Sequence, residues 1–340
     1  MPDSIHNLKQ LRYLDLSTTM IERLPESICC LCNLQTMMLS KCRCLLELPS
    51  TMRKLINLRY LDISGSNSLK EMPNDIDQLK SLQKLPNFTV AGESGFRFGE
   101  LWKLSDIRGK LEISKMENVV GVEDALQANM KDKKYLDELS LNWSYEISHD
   151  AIQDDILNRL SPHQNLKNLS IGGYPGLTFP DWLGDGSFSN LVSLQLSNCG
   201  NCSTLPPLGQ LPCLEHIKIS EMSGVVRVGS EFYGNSSSSL HPSFPSLQTL
   251  SFSSMSNWEK WLCCGGKHGE FPRFQELSIS NCPKLTGELP MHLPLLKELN
   301  LRNCPQLLVP TLNVPAARAL QLKRQTCGFF MLGFVEPSFV

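Results

Sequence analysis

The chain has no apolar run near the roughly 20 residues that span a bilayer. Its most apolar short stretch, Phe329-Phe-Met-Leu-Gly-Phe-Val335, is far below that length. The first residues, MPDSIHNLKQLRYL, contain no apolar core of a secretory leader. Neither sign of charge dominates: 32 Lys and Arg stand against 34 Asp and Glu, a net charge of −2. No bulk basicity therefore favours nucleic acid as a partner. Signatures of catalysis are also missing. There is no GxxxxGK[ST], GxSxG, HExxH or GxGxxG; Gly265-Gly-Lys267 lacks an upstream Gly and is followed by His268. The histidines, His6, His149, His163, His216, His241, His268 and His292, are scattered without metal-ligand spacing. These absences point to a non-catalytic chain with no cofactor, no metal and no membrane span.

What is present is a repeated phrase, leucine-x-x-leucine-x-leucine. It reads Leu11-Arg-Tyr-Leu14-Asp-Leu16, Leu34-Gln-Thr-Met37-Met-Leu39 and Leu58-Arg-Tyr-Leu61-Asp-Ile63. Leu14 to Met37 is 23 residues and Met37 to Leu61 is 24, inside the leucine-rich-repeat range and outside the helical-repeat periods. The phrase alternates with period two, as a strand requires. Continuing the frame predicts strand centres at Leu14, Met37, Leu61, Leu111, Leu139, Leu169, Leu194, Ile217, Leu250, Leu277 and Leu299, with a degenerate twelfth at Leu320-Gln-Leu322. The fold class is α/β, a leucine-rich-repeat solenoid with short parallel strands on a concave face and loops and short helices on the convex one. A solenoid grows by stacking, so 340 residues need not split into globular domains.

Between strands the chain must cross and return. Leu24-Pro25-Glu-Ser-Ile28, Leu48-Pro49-Ser-Thr-Met52 and Met72-Pro73-Asn-Asp-Ile76 are predicted to do so. Pro opens a short helical turn, and the apolar residue three positions later packs inward. Regular repeats cover residues 1–79, an irregular linking segment 80–110, irregular repeats 111–325, and a tail 326–340 drops the pattern. A poor repeat is expected near Leu85, and 87–107 shows no good strand phrase. Val122–Leu136 reads as a full helix and Ile152–Leu160 as a second. Ser-rich 234–242 and Gly-rich 263–269 read as loops. The pattern starts almost at once, near Ile5 and Leu8. Terminal repeats normally need a cap, so the chain is expected to be part of a longer protein.

Four of the 13 cysteines follow the frame. Cys42, Cys199, Cys282 and Cys304 each lie five residues after a strand centre, where a side chain points inward and bonds the backbone of the neighbouring turn. Cys199-Gly-Asn-Cys202 has redox or zinc spacing, but Cys29-Cys30-Leu-Cys32 supplies no clean second pair. Reduced thiols and a cytoplasmic setting are expected. The sequons at Asn87, Asn142, Asn168, Asn201 and Asn235 matter only in a secreted protein.

Leucines of the phrase enter the core, so the residues between them face outward. The candidate protein-binding positions are Tyr13, Asp15, Met38, Tyr60, Asp62, Glu138, Asn142, His216, Lys218, Glu276, Glu298 and Arg302. Aromatic anchors among acids and bases suit protein recognition; the plainer reading is a solvated strand face.

Several blocks resemble the leucine-rich-repeat region of plant intracellular disease-resistance proteins of the coiled-coil, nucleotide-binding class. They are Leu55-Ile-Asn-Leu-Arg-Tyr-Leu-Asp-Ile63, the run from Arg108 to Val119 with Asp124-Ala-Leu-Gln-Ala-Asn, and Leu136-Asp-Glu-Leu-Ser-Leu-Asn-Trp143. Phe179-Pro-Asp-Trp-Leu183, Ser203–Pro212 and Val228-Gly-Ser-Glu-Phe-Tyr-Gly234 add to the match. The resemblance implies the sensor half of an immune receptor. Its partners would be a pathogen effector or guarded host protein and the nucleotide-binding domain of the full-length receptor. The coiled-coil and nucleotide-binding parts have no counterpart in these residues, so nucleotide binding is not carried over. Two alternatives stay open: an extracellular repeat receptor or inhibitor, which Leu285-Thr-Gly-Glu-Leu-Pro290 resembles, and a truncated product without an independent role.

Overall fold

The computed structural model describes residues 2–92, 97–144, 150–234, 242–262, 271–287, 289, 293 and 295–307, and the backbone of 321–325. The predicted loops at 234–242 and 263–269 lie mostly, and the tail 326–340 wholly, outside the described residues. The chain forms two compact units: Met1–Leu183 with Ser187–Ser193, and Gly184–Gly186 with the chain from Leu194 onward.

In the first unit, three-residue strands β1 (Tyr13–Asp15), β2 (Thr36–Met38) and β3 (Tyr60–Asp62) pair in parallel, so that Leu14, Met37 and Leu61 share one row. A second parallel set follows: β4 (Asn87–Thr89), β5 (Gly109–Ser114), β6 (Leu136–Asn142) and β7 (Asn168–Gly172). Its core row aligns Leu111, Leu139 and Leu169. β6 and β7 alternate buried and half-exposed residues, the pattern of a sheet with one face in a core. The strands stay short because the chain turns out of the sheet once in every repeat.

The way it turns is the same nearly everywhere. Thr18, Lys41, Gly65, Lys115, Gly173, Asn198, Glu221, Ser254, Asn281 and Asn303 all have positive φ, and each lies four residues after a predicted strand centre. Left-handed backbone is costly for most residues, but here it directs an N–H at the next strand. Thr18 donates to the Ser40 carbonyl at 2.8 Å, Lys41 to Ser64 at 2.6 Å and Glu221 to Ser253 at 3.0 Å. One ladder hydrogen bond beyond the strand offsets the strained angle.

The proline turns are 3-10 helices: Glu26–Cys30 directly after Pro25, then Met52–Lys54 and Ile76–Gln78. Ile28, Met52 and Ile76 have no exposed surface, as the spacing predicts. Two expectations need correction. Residues 87–107 hold a strand after all, β4, with Phe88 fully buried, and a 3-10 helix over Phe98–Lys103. The expected long helix is only α1 (Val122–Gln127). Asn129, a residue that tolerates left-handed backbone, takes φ 49° and ends it. A 3-10 turn over Met130–Asp132 then leads into β6. The second helix is α2 (Ala151–Arg159), capped by the Asp150 carboxylate accepting from the Ile152 N–H at 3.1 Å. It buries Gln153, whose Oε1 accepts from the Trp143 indole at 2.8 Å.

The second unit contains β8 (Ser193–Ser197) from Leu194 onward, β9 (His216–Ser220), the two-residue β10 (Arg227–Val228), helix α3 (Ser230–Tyr233) and β11 (Thr249–Ser253). These are followed by β12 (Lys260–Trp261), β13 (Glu276–Ser280), β14 (Glu298–Arg302) and β15 (Gln321–Gln325). Strands β9, β11, β13, β14 and β15 are parallel neighbours in that order. β15 sets Leu322 opposite Leu299, where the degenerate twelfth phrase was expected. A separate pair, β10 with β12, aligns Val228 with Trp261. Beneath the sheet lies an aromatic core absent from the periodicity argument. Phe244 stacks on Phe271 at 5.3 Å, Phe252 meets Trp258 at 4.6 Å, and the Trp261 indole donates to the Tyr233 hydroxyl at 2.9 Å.

Candidate protein-binding surface

Parallel pairing in register converts single outward residues into rows. On β1 to β3 one row is Tyr13, Thr36, Tyr60 and the next is Asp15, Met38, Asp62. Tyr13 keeps 57% of its surface and Asp15 is exposed, whereas Met38 and Tyr60 are half-buried. Asp62 differs from the rest: only 8% of it is accessible, so it presents little to a partner.

The same short-range pattern builds both tyrosine–aspartate pairs. The Tyr13 hydroxyl donates to Asp15 Oδ2 at 3.3 Å, and the Ser17 N–H to Asp15 Oδ1 at 2.8 Å. One repeat further on, Tyr60 reaches Asp62 Oδ2 at 3.5 Å and the Ser64 N–H donates to Asp62 Oδ1 at 2.9 Å. Ser17 holds the Asp15 carboxyl below its ordinary pKa. Lost hydration, then the neighbouring carboxylates, push both phenols upward. At pH 7 the face therefore offers neutral phenols beside carboxylates. Lys84 is paired with Tyr60 across a bridge, and its Nζ sits 5.6 Å from the Tyr60 ring centre.

Farther along the first unit Glu138 is exposed and Asn142 half-buried. Glu138 lies in a row with Lys110 and Asn168, and Lys110 already pairs with Glu112 at 3.2 Å. Asn142 donates to Glu112 at 3.5 Å. In the second unit His216, Thr249, Glu276 and Glu298 form one row. Lys218, Ser251, Ser278 and Asn300 form the next, and the third ends in Arg302. His216, Lys218 and Arg302 are exposed; Glu276 and Glu298 are half-buried. His216 bonds the Thr249 hydroxyl at 2.9 Å, and Glu298 accepts from Asn300 at 2.9 Å. Each unit thus brings its own candidates into adjoining rows, acidic and aromatic on β1 to β3 and mixed in charge on β9 to β14.

The inward cysteine positions behave as hydrogen-bonding core. Cys42 has no exposed surface and its thiol donates to the Leu16 carbonyl at 3.0 Å, in the turn before it. Ser66 does the same one repeat later, donating to Leu39 at 2.7 Å while accepting from the Cys42 N–H at 3.0 Å. Cys304 reaches the Ile279 carbonyl at 3.8 Å, and Cys199 and Cys282 are fully buried. The hydrogen bond with Cys304, and then burial, push the Cys282 thiol up, which disfavours its reactive thiolate.

Periodicity gives no hint of Lys133. Only 2% exposed, it donates from Nζ to the carbonyls of Leu101 at 2.8 Å and Leu104 at 3.2 Å. Burial pulls its pKa down to about 8. It lines a cleft of about 280 Å³ together with Lys80, Trp102, Lys103 and Asp132.

Among the described residues no helix is long and apolar enough to cross a membrane. Residues 98–222 match the family described as R13L1/DRL21 LRRs. The chain is 43% identical over 303 residues to At3g14460 of Arabidopsis thaliana, named as a disease resistance protein, covering 86% of this chain and 21% of that one. It is 41% identical over 306 residues to disease resistance RPP13-like protein 1 of the same plant, covering 86% and 29%. Disease resistance protein RGA2 of Solanum bulbocastanum is 37% identical over 215 residues, covering 61% and 22%. A solved leucine-rich-repeat protein of Leptospira interrogans superposes with a TM-score of 0.45 at 21% identity, over 94% of this chain and 87% of that one. The chain spans less than a third of the length of these plant relatives. It is a leucine-rich-repeat array of the kind found in plant disease-resistance proteins, with R13L1/DRL21 repeats over residues 98–222.

Proposed function

We propose that the chain is the non-catalytic recognition module of a cytoplasmic plant immune receptor. It binds a pathogen effector or a guarded host protein and, when unoccupied, restrains a nucleotide-binding switch domain. The observation that carries this reading is the set of outward rows, in which exposed aromatic and charged side chains stand in register over an apolar core. Such a surface is rigid before a partner arrives, which lowers the ordering cost of association. The plant relatives, several times longer than this chain, are named for disease resistance and leave room for a switch. Restraint and recognition are then two ends of one equilibrium. An effector releases the switch only as far as it prefers the released state over the restrained one.

The test is co-expression in leaf tissue of this chain with the remaining domains of such a receptor, read by co-precipitation and by cell death in the absence of effector. Lys218→Glu, Glu276→Lys and Arg302→Glu are expected to abolish effector capture or suppression of cell death while leaving the chain folded. If the full set of reversals alters neither, the outward rows are not the recognition surface.

A further inference from the structure

Tyr13, Thr36 and Tyr60 stand side by side on adjacent strands. Neighbouring strands lie about 4.8 Å apart, so the two tyrosines are about 10 Å apart with the short Thr36 between them. The short Thr36 leaves a slot between the two longer tyrosines, bordered in the next row by Asp15, Met38 and Asp62, of which only Asp15 is exposed. The chain shows what such a ring attracts. Lys84 occupies the register position one strand beyond Tyr60 and sets its ammonium 5.6 Å from the ring centre. On the other side of Tyr60 the equivalent position is Thr36, which carries no charge. A cation above Thr36 would lie about 5 Å from both rings, within the 6 Å reach of a cation–π contact. Asp15 and Asp62 have no ion-pair partner among the described residues, and Asp15 is exposed.

We infer that this slot receives an arginine side chain from a basic segment of a protein partner. The guanidinium is flat enough to lie between two ring faces, and its fork of donors can meet the Asp15 carboxylate beside the slot. A lysine ammonium at the same place has no flat face to stack against the rings and no fork of donors to reach Asp15 from there. The inference rests on the outward rows being a protein-binding surface, and it assigns the β1 to β3 part of them to basic sequence.

The experiment titrates the whole chain into fluorescein-labelled hexa-arginine, hexa-lysine and hexa-glutamate peptides at 0.15 M salt and follows anisotropy. Hexa-arginine is expected to bind about fivefold tighter than hexa-lysine, and hexa-glutamate not to bind. Tyr13→Ala, at an exposed residue, is expected to erase the arginine preference, and Thr36→Leu to block the slot while leaving both tyrosines in place. Asp15→Asn should weaken both basic peptides. Equal binding of the two basic peptides, no binding, or an arginine preference untouched by both Tyr13→Ala and Thr36→Leu would overturn the inference. Effector capture that survives Tyr13→Ala and Thr36→Leu while peptide selectivity is absent would remove this slot alone and leave the recognition reading standing.

Discussion

At the scale of single residues, two groups carry consequences that stability measurements can read. Lys133 is charged in water with an ordinary pKa of 10.5 but is held near 8 in the fold. Between those values the unfolded chain binds more protons than the folded one, so stability rises with pH across that window. Lys133→Met removes the titrating group. The difference in denaturation midpoint between wild type and Lys133→Met should therefore shift in favour of wild type from pH 8 to 10.5; a constant difference would contradict the burial. Thr18 is a β-branched residue at φ 61°, a conformation that Asn tolerates better. Thr18→Asn is expected to stabilise by about 0.5–1 kcal/mol, whereas Gly65→Ala, at φ 71° with Lys41 Cγ 3.3 Å from the added methyl, should destabilise by about 1 kcal/mol. Thermal melts of the two variants moving the same way would refute that account.

At the scale of elements, the frame read from the leucine phrase separates costly positions from cheap ones. Leu139 on β6 and Leu194 on β8 are each 1% exposed, and Leu139→Ala or Leu194→Ala should cost about 2–5 kcal/mol through lost burial and a cavity. Gln195, half-buried and directed outward beside Leu194, should cost about 0.5 kcal/mol or less on truncation to Ala. Equal losses on urea denaturation would mean the strand had been read one residue out of register. Strand centres, proline turns and inward cysteines were legible because each recurs at a fixed offset within the repeat. The parts that were not legible lack that recurrence. β4 carries Asn-Phe-Thr in place of the leucine phrase, and only its pairing with β5 identifies it. The pattern through Val122–Leu136 continues past Asn129, but a single left-handed residue ends the helix. Phe232, Phe244 and Trp261 come from intervals of unequal length, so no period gathers them into one core. For the candidate surface, alternation correctly turned Tyr13, Lys218 and Arg302 outward. It could not show that Asp62 is buried while Asp15, with the same tyrosine and serine bonds, is exposed, because alternation treats the two positions alike.

At the scale of the molecule, each repeat touches mainly the ones before and after it, so damage should stay local. In the first unit Leu139→Ala is expected to speed hydrogen exchange most at β5, β6 and β7, with a smaller change at β1 to β3. Uniform acceleration across both strand sets would indicate one all-or-none core instead of a stack.

The left-handed residue that ends nearly every strand also bears on how such a gene can change. Asn198, Asn281 and Asn303 leave their strands at φ 53°, 55° and 53°. A chain cut at one of them and resumed at another meets the same backbone angle, and at Asn198 and Asn281 the N–H runs to the next strand at the same 2.9 Å. Unequal recombination between the matching codons would therefore delete or duplicate whole turns with no new junction to fold. Repeat number, and with it the length of the outward face, is open to inheritance as a unit.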